Sequence, residues 1–141
     1  GKGVCHSYTF LYEYALQQLG IECLRYIGNT TGDPDDGHMW PVVRIDGKYY
    51  QCDPTWDDQG ETASLQYFGM SDSERLESGV EGFEFSLDSA YGEVKCDSED
   101  LKPLHQAMAF ALSGDHSAIL YDSFGMEIGE FDTETRGFSA K

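Results

Sequence analysis

Positive charge is scarce in this sequence. Nine Lys and Arg stand against 26 Asp and Glu, a formal net charge of −17. A chain so charged repels nucleic acid and anionic membrane surfaces at long range and favours neutral or cationic partners. Solubility alone also accounts for such a balance. Long apolar runs are missing too. None approaches the ~20 residues that span a bilayer, so no membrane insertion is expected. The opening Gly1-Lys2-Gly3-Val4-Cys5 has no apolar core segment and is not a signal peptide. Cysteine is sparse: Cys5, Cys23, Cys52 and Cys96 form no C-x-x-C pair and no cluster with histidine at zinc-finger spacing. Four in 141 residues do not make a dense disulfide scaffold. No metal and no cofactor is therefore expected, and three of the thiols are expected to be buried structural groups.

What is present points to a globular chain. Hydrophobic residues make up 40% and aromatic residues 13%, too many for a disordered one. A length of 141 residues suggests a single domain, 1–141. Residues His6 to Leu19 read as a helix with Tyr8, Leu11, Tyr12, Ala15 and Leu19 on its apolar face, closed by Gly20 as a left-handed cap. Ile21 to Ile27 reads as a strand, and residues 28–37 as a polar loop. His38 to Ile45 and Lys48 to Asp53 read as a hairpin about Asp46-Gly47. A short strand around Tyr67 to Met70 precedes Ser71, which with Glu74 forms a capping box. Residues 79–98 read as loop with one strand at Phe83 to Leu87. Leu101 to Leu112 reads as a helix with Pro103 in its first turn. Ser117 to Asp122 and Glu127 to Phe131 form a second hairpin, and Asp132 to Lys141 lacks periodicity.

Three residues carry the chemistry. Cys5 sits at the expected start of the first helix, where the helix dipole and unpaired N–H groups favour a thiolate. It also fits a small residue on the helix's inner face. His38 opens a strand beside a loop, where a general base is both held and accessible, though a solvent-facing histidine fits that place as well. Asp53 ends the returning strand. Counting outward from Asp46-Gly47, Ile45 lies opposite Lys48 and His38 opposite Thr55, which makes Asp53 the diagonal neighbour of His38 on one face. Before Pro54, the same aspartate also suits a helix cap or an Asx turn. By strand alternation Cys52 points away from that face. A Cys/His metal site is the weakest alternative, because Cys5, His38 and Asp53 have no short ligand spacing.

The stretch from Gly3 to Asp72 resembles the transglutaminase-like superfamily. The resemblance lies in Gly3-Val4-Cys5-His6-Ser7-Tyr8, in Gly37-His38-Met39-Trp40-Pro41-Val42-Val43, and in Gly47-Lys48-Tyr49-Tyr50-Gln51-Cys52-Asp53-Pro54-Thr55-Trp56-Asp57-Asp58. The last segment is similar to bacterial members, and so is Tyr67-Phe68-Gly69-Met70-Ser71-Asp72 after it. The resemblance implies an α+β fold with a papain/transglutaminase-like core, a nucleophile-bearing helix packed on an antiparallel sheet. It implies Cys5 as nucleophile, His38 as base and Asp53 as orienting acid of a catalytic triad. The implied reaction is acyl transfer through a thioester on a peptide or protein substrate. Hydrolysis by a cysteine protease or amidase is the first expectation. Cross-linking by a transglutaminase, and a non-catalytic binding module that keeps the fold, are the alternatives. A bacterial, extracellular or cell-surface setting goes with that resemblance. The motif-bearing core is 1–78, and 79–141 matches nothing in the family pattern. Pro41 must occupy a position in its strand that needs no donor. Residues 1–4 hold no source for a second oxyanion donor, so the site in this chain is expected to be incomplete.

Overall fold

The computed structural model describes residues 2–29, 33, 35, 37–58, 60–61, 63–78, 84–87 and 94–141. The architecture is α+β, with two four-stranded antiparallel sheets and few helices. Helix α1 (Lys2–Gln18) is followed by β1 (Cys23–Asn29), β2 (Gly37–Ile45) and β3 (Lys48–Gln51). Two short helices come next, α2 (Pro54–Asp57) and α3 (Asp72–Glu77), and then β4 (Glu84–Leu87). A 3-10 turn (Lys102–Gln106) leads into β5 (Ala109–Ser113), β6 (Ser117–Tyr121), β7 (Glu127–Asp132) and β8 (Phe138–Ala140). Parts of the loops expected at 28–37 and 79–98, including Phe83, lie outside the described residues. Among the described residues no helix is long and apolar enough to cross a membrane.

The first sheet has the order β3-β2-β1-β4. Its central hairpin turns on Asp46 (φ 49°) and Gly47 (φ 80°), the two left-handed residues that a type I′ turn requires. Ile45 pairs with Lys48 and Val42 with Gln51, the register that the turn dictates. Strand β2 is covered on both faces, which explains why Trp40 to Val43 are buried without alternation. On one face Trp40 and Val42 pack with Leu24, Tyr26 and Cys96. On the other, Val43 packs with Cys23 and Cys52 beneath Tyr12 and Leu16 of α1. Pro41 sits in this interior strand. Its carbonyl accepts from the Cys52 amide at 3.0 Å, so its nitrogen also faces Cys52, just past the end of β3, and no donor is missed towards β1.

The inward face of α1 differs from the expected one. Leu11 and Leu19 are 66% and 73% exposed, while Cys5 and Thr9 are buried and Tyr12 and Leu16 pack on the sheet. Thr9 is tolerated there because its hydroxyl donates to the Met39 carbonyl at 3.2 Å. The helix also begins earlier than expected, at Lys2, which makes Cys5 its fourth residue. Gly20 (φ 73°) closes it with the expected left-handed cap, and the Ile21 amide donates to the Leu16 carbonyl.

The second sheet, β5-β6-β7-β8, corrects two expectations. Leu101 to Leu112 is not one helix. Ala107 turns extended (φ −83°, ψ 135°), the Met108 amide donates to Tyr121, and residues 109–113 pair with β6. A short apolar run fits either element, and the available edge of β6 decides it here. Nor is the C-terminal segment without structure. Arg136 donates to the Tyr50 hydroxyl at 2.6 Å, to Asp100 at 2.9 Å and to Asp46 at 2.7 Å, which ties it to the first hairpin before β8 begins. Tyr50 itself lies in the cluster of Leu101, Leu104, Ala107, Leu120 and Phe131, so the two sheets share a core.

Candidate functional site

Asp53 is the centre of the site. Its backbone leaves β3 at Gln51, and its amide donates to the Tyr67 carbonyl at 2.7 Å. Pro54 cannot continue a ladder, and its fixed φ suits the first position of α2. Asp53 caps that helix: Oδ1 accepts from the Trp56 amide at 3.2 Å. The other oxygen, Oδ2, lies 2.7 Å from His38 Nε2 and accepts from Arg75 Nη2 at 2.6 Å. The cap and the histidine partner are thus one residue performing both roles. Asp53 and Arg75 are fully buried and His38 is 9% exposed. The hairpin register brings His38 and Asp53 together as the diagonal count requires, although Pro54 starts a helix before the ladder reaches Thr55.

The imidazole is stacked against two indoles. Its centroid lies 5.3 Å from Trp40 and 5.6 Å from Trp56, with interplanar angles of 29° and 16°. The guanidinium carbon of Arg75 lies 4.5 Å from the Trp40 centroid and 4.3 Å from that of Trp56, so the same two indoles flank ring and guanidinium. Burial lowers the proton affinity of Arg75, and the Asp53 carboxylate opposes that effect. Helix α3 delivers Arg75 through the expected capping box: the Ser71 hydroxyl accepts from the Glu74 amide at 3.1 Å, and the Glu74 carboxylate accepts from the Ser71 amide at 2.8 Å. Behind Trp40, its indole N–H donates to Gln51 at 2.8 Å, and Gln51 donates to Asp72 at 2.6 Å. Sequence reasoning missed Arg75 and Gln51, although the capping box that places Arg75 was visible.

Cys5 lies in the first turn of α1, the helix whose Thr9 is bonded to Met39, the residue after His38. Its Sγ is 3.6 Å from His6 Nδ1. At 4% exposure it is as buried as Cys23. All four cysteines are free thiols. Burial pushes the Cys23 and Cys52 thiols up to about 12 and Cys96 still higher. Cys52 packs with Cys23 and Val43 beneath α1, on the β2 face opposite Trp40. Among the described residues no three His, Cys, Asp or Glu side chains group as a metal cage.

Asp57 adds a titrating carboxylate to the same corner. Burial raises it to about 6, against the stabilising bonds that its Oδ1 accepts from the Tyr67 amide at 2.9 Å and the Ser64 hydroxyl at 2.7 Å. A carboxyl raised in the fold favours folding fully only below its ordinary 3.8, and that contribution is lost as pH rises through about 6. Asp57→Asn keeps an Oδ1 acceptor and removes the charge. It is expected to be more stable than the wild type at pH 8, by at most about 3 kcal/mol, and to show a flatter loss of stability between pH 4 and pH 8. Urea unfolding of both proteins at the two pH values checks this. Parallel pH curves for the two would show that Asp57 does not carry the dependence.

Compared with family models, curated proteins and solved structures, the chain matches none.

Proposed function

We propose that the chain is a cysteine-nucleophile acyl-transfer enzyme with a papain/transglutaminase-like core, and that Cys5, His38 and Asp53 form its catalytic triad. The observation that carries this reading is the buried His38–Asp53 pair at 2.7 Å, formed at the start of the strand on which the Cys5-bearing helix packs. With Nε2 engaged by Asp53, Nδ1 is the ring nitrogen that serves the thiol. The resemblance of the Cys5, His38 and Asp53 segments to bacterial transglutaminase-like proteins points the same way.

In this mechanism Cys5 Sγ bonds to the carbonyl carbon of an amide while the thiol proton moves to His38. Asp53 holds the ring in the tautomer that can accept it. Collapse of the adduct breaks the C–N bond, and His38 returns the proton to the leaving amine. Water then attacks the thioester and regenerates the thiol, which gives a peptidase or amidase. A lysine amine in place of water gives cross-linking. The net charge of −17 favours neutral or cationic peptide substrates in either case.

The test is covalent labelling near neutral pH. A small iodoacetamide or peptide-like electrophile should modify Cys5 ahead of Cys23, Cys52 and Cys96. Cys5→Ala should abolish this fast labelling while the far-UV spectrum stays unchanged. Undiminished labelling of the variant would remove Cys5 from the mechanism.

A further inference from the structure

The proposed triad leaves Arg75 unexplained. A guanidinium with no exposed surface, on a six-residue helix far along the chain, reaches the same carboxylate oxygen that His38 uses. We infer that Arg75 is a positioning and charge-balancing residue of the Cys5–His38–Asp53 site: it divides the Asp53 carboxylate between two donors and so keeps the His38 ring able to release a proton as well as take one. This inference rests on the triad reading and extends it.

The physical argument is one of charge counting in a dry place. A carboxylate beside a single imidazole stabilises the imidazolium and would hold it in that state, which suits a base that must return its proton poorly. Arg75 is permanently charged, and it claims Asp53 Oδ2 at 2.6 Å in competition with His38 Nε2 at 2.7 Å. A second cation so near the ring opposes a first one on it. Arg75, Asp53 and Trp40 have no exposed surface, which leaves this opposition weakly screened. Among the described residues, the titratable groups that act on Arg75 besides Asp53 are Asp57 and Tyr67, whose ring centroid lies 5.8 Å from the guanidinium carbon, and Tyr12 of α1 faces Asp57 in turn. The fixed bond to Arg75 also sets the plane of the carboxylate, and with it the direction from which the ring is held.

The readout is the titration of the His38 ring by NMR, in a Cys5→Ala background that removes the thiol's own proton. Adding Arg75→Met should move the His38 midpoint upward by about one pH unit or more, the effect of losing a neighbouring like charge. Arg75→Lys should return it most of the way. A midpoint unchanged by Arg75→Met overturns the inference. Should Arg75→Met be unfolded at pH 8, acidification to pH 6 should refold it, because a protonated His38 then compensates Asp53. That rescue should vanish in Arg75→Met/His38→Ala, which separates it from the protonation of Asp57. Failure to refold, or equal refolding of the double variant, overturns it too. The triad reading is judged apart from this, by whether Cys5 labels first and whether His38→Ala slows that labelling. Cys5 labelling that survives while the His38 midpoint stays fixed would overturn the Arg75 inference alone.

Discussion

If the proposed triad holds, His38→Ala should slow acyl transfer at Cys5 by at least about 10²-fold, the usual loss when a general base is removed. The ring is held by a carboxylate at 2.7 Å and stacked against two indoles, so it has little freedom to lose when substrate binds. On the proposed reading, such preorganisation makes His38 difficult to replace with water. Asp53→Asn should be gentler on structure and still costly. Asp53 uses both oxygens as acceptors, Oδ1 for the Trp56 amide and Oδ2 for His38 and Arg75. An amide offers only one acceptor. Placed with its NH₂ towards His38, it forces the proton onto Nδ1, where it blocks acceptance from the thiol. Placed the other way, it sets an NH₂ against the Trp56 N–H. Single-turnover rates with an amide substrate or a peptide-like electrophile measure both variants against thermal unfolding curves. Full activity of both would dissolve the triad assignment.

The path from sequence to this corner was legible where local rules leave little choice. Asp46-Gly47 permits one turn type, that turn fixes the register of β2 against β3, and the period of two then puts Asp53 beside His38. The Ser71/Glu74 capping box was legible for the same reason, since it needs only four consecutive residues. Arg75 was not. Its partner lies 22 residues earlier, and a charged side chain in a short helix reads as solvated until the packing of Trp40 and Trp56 is known. The run Leu101 to Leu112 failed differently, because a 3-10 turn followed by a strand shows nearly the same apolar spacing as a helix. The inward face of α1 was misjudged since Thr9 is polar and its burial depends on a carbonyl of another strand. In each miss the deciding contact is distant in sequence, which composition and period do not record.

Asp53→Ala should be the most damaging single change to the fold at this site. It removes the carboxylate that pairs with a guanidinium that has no exposed surface and cannot shed its charge. Leaving one half of a buried ion pair costs about 3–5 kcal/mol. Loss of the α2 cap adds about 1 kcal/mol. Together these come to about 4–6 kcal/mol, the lower end of the stability of a typical domain, about 5–15 kcal/mol. The cost should come mostly from the abandoned charge and not from lost attraction, because a buried pair gains little net energy when both partners are present. That distinction is measurable. Adding Arg75→Met to Asp53→Ala removes the buried cation whose carboxylate was lost and leaves methylenes near Trp40 and Trp56, so urea unfolding should show the double variant more stable than Asp53→Ala alone. A double variant less stable than the single one would mean that Arg75 supports the fold chiefly through its contacts with the two indoles.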